Sequence, residues 1–115
     1  MNNFQSHKVD KVKSLQKLMK IFNDDIYSYQ FRLNDVGKKA TNESDLAEII
    51  KLERRMNEYV KKLQAYSKIL DKYDNIANSF DLNSPFDIFP QFISLDEEFL
   101  EIRQSLYTII SNLKN

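Results

Sequence analysis

Glycine and proline are nearly missing from this 115-residue chain, and cysteine and tryptophan are missing outright. One glycine, Gly37, and two prolines, Pro85 and Pro90, cannot supply the turns of a loop-rich or all-β fold. One glycine also cannot build a phosphate cradle, and no P-loop, G-x-G-x-x-G or H-E-x-x-H pattern occurs. Without cysteine there is no disulfide, no thiolate nucleophile and no cysteine metal site, and the redox compartment is left open. The single histidine, His7, lies near a frayable N-terminus and reads as a surface residue. No E-x-x-H pair exists, so a di-iron carboxylate bundle is not supported. No apolar run approaches the ~20 residues of a membrane span, and "MNNFQSHKVDKVKSLQKLMKIF" has no signal-peptide core. A cytoplasmic location is the expectation. Seventeen basic and seventeen acidic residues give zero net charge and a pI near 6.6, unlike a dedicated nucleic-acid binder, which is markedly basic.

What the chain has instead is helix pattern. The apolar positions Val12, Leu15, Met19, Phe22, Ile26, Tyr29, Leu33 and Val36 alternate steps of three and four. So do Ile49, Leu52, Met56, Tyr59, Leu63, Tyr66, Leu70, Tyr73, Ala77 and Phe80, and again Phe92, Leu95, Phe99, Ile102, Leu106, Ile109 and Leu113. Such alternation is the seam of a helix packed along its length against another helix. Its mean period of 3.5 implies a left-handed supercoil. The expected fold is therefore all-α, one domain over residues 1–115, with helices at about 6–37, 44–80 and 94–114. At 1.5 Å per residue these are roughly 48, 55 and 30 Å long.

Boundary chemistry refines this reading. Gly37 can take the left-handed conformation that closes a helix. "TNESD" offers N-caps for helix two, with Glu43 and Asp45 near its positive end. Ser94 and Glu97 form an S-x-x-E capping box for helix three. The short 38–43 connection forces helices one and two into an antiparallel hairpin, and helix three returns parallel to helix one, giving an elongated up-down-up, coiled-coil-like bundle. Residues 1–40 carry eight basic and four acidic side chains, +4, and 81–115 carry two and six, −4. The up-down-up order sets Lys8, Lys11 and Lys13 at the same end as Asp96, Glu97, Glu98 and Glu101. Exposed pairs of that kind give only ~0–1 kcal/mol each, so they orient more than they stabilise.

The segment "NSPFDIFPQF" (residues 83–92) holds both prolines and three of eight phenylalanines. Pro85 and Pro90 stop the helix there, and the 81–93 connector turns the chain back. Phe86, Ile88 and Phe89 can then cap the core's open end, or anchor a partner. With a compact turn, the short third helix covers the half of the hairpin near Val12–Ile26 and Leu63–Phe80. The side stripes Ile69 and Ile76 on helix two, and Ile93, Leu100 and Tyr107 on helix three, suit that packing. The distal half, Ile26–Val36 with Ile49–Met56, is then left with a two-helix seam, which is marginal without a third surface. Tyr27 and Phe31, four apart, fall on its outward face, and Ile50 joins them as a candidate contact.

Little else carries chemistry. The "LDEEFLE" carboxylates are explained as helix-start acids, and Tyr59, Tyr66 and Tyr73 as core tyrosines whose hydroxyls need partners. Lys13, Lys17 and Lys20, and Arg54, Lys61 and Lys68, form basic stripes that could track phosphates, but zero net charge reads them as solvated faces. No catalytic, metal or cofactor residues are identified. The expected role is a non-enzymatic adaptor, complex subunit or small chaperone that presents a helical face to another protein or a second copy. The contact set is Tyr27, Phe31, Ile50, Phe86 and Phe89, with no membrane or nucleic-acid partner expected. An alternative is an inhibitor or immunity protein of a mobile element or phage, which the abundance of residues with AT-rich codons suits. The other is a nucleic-acid accessory protein using the lysine stripes.

Overall fold

A computed structural model describes the backbone of residues 3–77 and 88–114, and the side chains of residues 11–72 and 90–113. It contains three helices, α1 (Asn3–Gly37), α2 (Glu43–Ala77) and α3 (Ile88–Lys114), and no strand among the described residues. The molecule is a rod of 60 × 19 × 17 Å with a radius of gyration of 18.1 Å. A compact chain of this length has a radius near 13 Å, so the length of the helices sets the shape. Each of the two long helices has 35 residues, which at 1.5 Å per residue is ~52 Å.

The three heptad tracks are the core. Val12, Leu15, Met19, Phe22, Ile26 and Leu33 of α1 are buried. They meet Ile49, Leu52, Met56, Tyr59, Leu63, Tyr66 and Leu70 of α2, and Leu95, Phe99, Ile102, Leu106 and Ile109 of α3. Tyr29, Val36, Phe92 and Leu113 pack partly buried at the margin. Apart from the hydroxyls of Tyr59 and Tyr66, no polar or charged side chain is buried among the described residues. The hydroxyl problem at Tyr59 is solved locally. Its O–H donates to the Leu95 carbonyl at 2.7 Å, within the core. A carbonyl has two lone pairs, so it can accept this bond beside its helical one.

The hairpin is antiparallel, as expected. Gln16 Nε2 donates to Asp71 Oδ1 and Gln30 Nε2 to Asn57 Oδ1, two rungs that fix the pairing of α1 and α2. At the turn, Asn42 is the N-cap of α2. Its Oδ1 accepts the Asp45 amide at 2.7 Å, and its Nδ2 donates to the Asp45 carboxylate at 2.9 Å. Gly37 departs from expectation. It is the last residue of α1 and has no positive φ. The closing carbonyls are met by tight i→i+3 bonds, Lys39 N–H to Val36 and Ala40 N–H to Gly37, so no left-handed cap is required.

Helix α3 starts six residues earlier than the 94 expected, at Ile88. Ser94 and Glu97 therefore lie inside it and do not cap its start. Pro90, expected to break a helix, stands in the first turn of α3. An amide there would have no intrahelical acceptor, so its absence costs nothing. Pro85 and Phe86 lie outside the described residues, as does the side chain of Phe89.

The larger correction concerns where α3 sits. Phe99 stacks on Phe22 at 4.6 Å and leans on Tyr29 and Tyr59 at 5.8 and 6.3 Å. Lys62 pairs with Glu98, and Arg55 with Glu101. These contacts set Ile88 about level with Leu70 of α2 and run α3 from there toward the 38–42 turn. The distal half, expected to have only two helices, is the three-helix section. Ile26, Leu33 and Met56 are buried in it. The expected neutralisation also moves, because the Glu98 and Glu101 carboxylates meet cations of α2. Helix α3 stays parallel to α1, with Phe92 near Phe22 and Tyr107 near Arg32.

Candidate interaction surfaces

A seam at heptad positions leaves the other faces of each helix to water, and their chemistry decides what they can meet. Tyr27 and Phe31 stand one turn apart on the outer face of α1, 53% and 76% exposed. Tyr27 is separated from the seam residue Ile26 by 100° of helical rotation, which turns it outward inside the three-helix section. Ile50, 48% exposed, is on α2 nearer the turn, beside Ala47 and Arg54. Its helix neighbour Ile49 faces Gly37, which sets Ile50 six or more residues along the axis from Phe31. The first two candidates form one patch and Ile50 a separate one. Of the connector candidates, Phe86 and the Phe89 side chain lie outside the described residues.

A second apolar face comes from the stripe Ile93, Leu100 and Tyr107 on α3. Expected to pack against the hairpin, these residues are 55%, 52% and 43% exposed. They follow one another at seven-residue intervals, on the edge of α3 that borders α1. Ile21, also exposed, belongs to the facing edge of α1. It lies in helical line with Arg32, whose guanidinium is 5.9 Å from the Tyr107 ring centroid. The stripe was visible in the sequence. Its exposure was not, because an apolar heptad stripe beside a seam reads the same in the sequence whether or not a neighbouring helix covers it.

Tyr107 has two cationic neighbours, Arg32 and Arg103, the latter 5.6 Å from its ring centroid. Cations over an aromatic face are attracted by its quadrupole. A hydrogen bond from Arg103 holds the Tyr107 hydroxyl below the ordinary tyrosine range, and the same bond raises the Arg103 guanidinium. Tyr29 is shifted up by burial, against the opposing pull of Arg103.

Between α2 and α3 an open groove of about 540 Å³ is lined by Glu48, Lys51, Arg55, Glu101 and Thr108 among others. Its charges are mixed in sign, three carboxylates (Asp45, Glu48, Glu101) with two cations (Lys51, Arg55), and Arg55 is paired with Glu101. Among the described residues no three His, Cys, Asp or Glu side chains converge to hold a metal ion. None of the helices of the described residues is long and apolar enough to cross a membrane. The basic side chains Lys13, Lys17 and Lys20, and Arg54, Lys61 and Lys68, are all exposed. Comparison with protein families, with curated proteins and with solved structures finds no match.

Proposed function

We propose that this protein is a non-enzymatic binding protein that presents a helical face to another polypeptide, as an adaptor, complex subunit or small chaperone. The observation that supports this reading is Phe31. It is the most exposed of the large apolar side chains among the described residues, and Tyr27 lies one turn away on the same face. A large aromatic left in water on a rigid helix is a ready anchor, since it brings contact area with little rotamer entropy to lose. The face is rigid because its own helix is held by the buried seam beneath it. An inhibitor or immunity protein would use the same face against an enzyme, and the two roles differ only in what the partner does.

The test is affinity capture from a cognate lysate with the wild-type chain and with the Tyr27→Glu, Phe31→Glu double variant. A polypeptide retained by the first and lost by the second, with helical circular dichroism unchanged, is the expected result. Identical captured sets would remove this face from consideration. Salt-dependent binding of the wild-type chain to DNA or RNA would shift the reading to the lysine stripes, because phosphate contacts weaken steeply as salt rises.

A further inference from the structure

The stripe on α3 is complementary to itself. Ile93, Leu100 and Tyr107 repeat every seven residues, the spacing of a helix that packs along another helix. Leu100 is the midpoint. Consider a second α3 laid antiparallel with a two-fold axis passing beside Leu100. Leu100 then meets Leu100, and Ile93 meets Tyr107 of the second copy.

The charges choose this alignment. At 100° per residue, Asp96 and Arg103 lie on one edge of the stripe, and Glu97 and Gln104 on the other. Arg103 stands three residues beyond the axis and Asp96 four residues before it. In the antiparallel pair each Arg103 therefore comes within about 1.5 Å in height of Asp96 of the other copy, twice by symmetry. On the far edge Glu97 comes level with Gln104, an acceptor facing a donor. A parallel pair would set each edge of the stripe against the opposite edge of the second copy, so Asp96 would lie beside Glu97, which repels, and Arg103 beside Gln104 with no carboxylate to meet. The Arg103 guanidinium can keep its place at the Tyr107 ring and still donate to a carboxylate, because it has five N–H donors. Ile21 of α1, exposed on the neighbouring edge, widens the apolar strip.

We propose that two copies of this chain form an antiparallel dimer through Ile93, Leu100 and Tyr107 of α3, registered by reciprocal Arg103–Asp96 pairs. This contact adds a partner, the chain itself, on a different face from the one assigned above.

Molar mass of the full chain by light scattering and sedimentation equilibrium tests it. The wild-type chain is expected to be dimeric. Leu100→Glu should be monomeric with unchanged helical circular dichroism, since the position is exposed in the single chain. Arg103→Asp and Asp96→Arg should each raise the dimer Kd at least ~10-fold, and the two together should restore it. Because the chain has no cysteine, single thiols report the alignment without background. Leu100→Cys should oxidise to a covalent dimer, while Ile93→Cys and Tyr107→Cys should link to each other in a mixture and not to themselves. A monomeric mass for the wild-type chain at every accessible concentration would overturn the proposal. So would self-linking of Ile93→Cys, which marks a parallel pair, and so would loss of the dimer in Tyr27→Glu, Phe31→Glu, which moves the contact to α1. Retention of the dimer in that last variant supports the α3 contact, whether or not the α1 face binds another polypeptide.

Discussion

Gly37→Ala is the substitution for which the helix end makes the sharpest demand, because its sign separates two descriptions. A glycine that closes a helix in the left-handed conformation resists replacement, since a Cβ there costs roughly 1–2 kcal/mol. Gly37 is instead the last helical residue, with φ on the ordinary side. An added Cβ would lie 3.6 Å from Ile49 Cγ2 and 3.9 Å from Ile49 Cδ1, ordinary van der Waals contact with nothing displaced. Two effects then favour alanine. The unfolded chain loses backbone freedom, and a methyl group gains a buried neighbour. Together they should stabilise the fold by about 0.5–1 kcal/mol. With a urea m-value of about 1.5 kcal/mol/M the midpoint rises by roughly 0.3–0.7 M. Urea unfolding followed by circular dichroism reads this directly. A midpoint that falls by a similar amount would mean that Gly37 does take the left-handed form and that the turn described above is wrong.

Two further substitutions probe the core. Leu63→Ala and Leu70→Ala each remove a fully buried side chain from the α2 seam and should cost ~2–5 kcal/mol; an unmoved denaturation midpoint would contradict the seam. Tyr59→Phe loses one buried hydrogen bond while the Leu95 carbonyl keeps its helical partner, so the cost should be only ~1 kcal/mol. Burial, and secondarily the Glu98 and Asp96 charges, hold the Tyr59 hydroxyl above its ordinary pKa of 10.0. Below pH 10 both folded and unfolded states keep that proton. Above it the unfolded chain releases the proton first, so stability should fall as pH rises through and beyond 10. That fall should be shallower in Tyr59→Phe, and equal slopes would show that Tyr59 titrates normally in the folded protein.

The tracks that begin at Val12, Ile49 and Phe92 were legible because burial on one face of a helix forces a 3-4 repeat, and all three seams are buried or partly buried where side chains are described. The antiparallel hairpin followed from a short connection. Gly37 and the Ser94–Glu97 box were misread for a common reason. Local motifs state what a residue can do at a helix end, and the chain closes α1 by i→i+3 bonds and opens α3 at a proline without using either. The axial position of α3 was not legible for a different reason. Sliding a heptad helix by seven residues, about 10 Å, presents the same seam to the same groove. Periodicity fixes the face and leaves the slide open. Here the slide brings Phe92 and Phe99 level with Phe22, Tyr29 and Tyr59, from the middle of the hairpin toward the turn.

That slide changes the reason for the exposed faces. Had the turn half lacked a third helix, Tyr27 and Phe31 would border an unfinished core, and any partner would have been needed for folding. With α3 in place, Ile26 and Leu33 are buried beside them and the core of that half is closed within one chain. Tyr27 and Phe31 are exposed because of their angle around α1, and Ile93, Leu100 and Tyr107 because of their angle around α3. Side chains exposed by angle contribute to contact and little to stability. On the proposed reading, stability and association fall to separate residues, the seams for one and the outer faces for the other. A change on an outer face that lowered the unfolding midpoint by as much as a seam change would contradict this division.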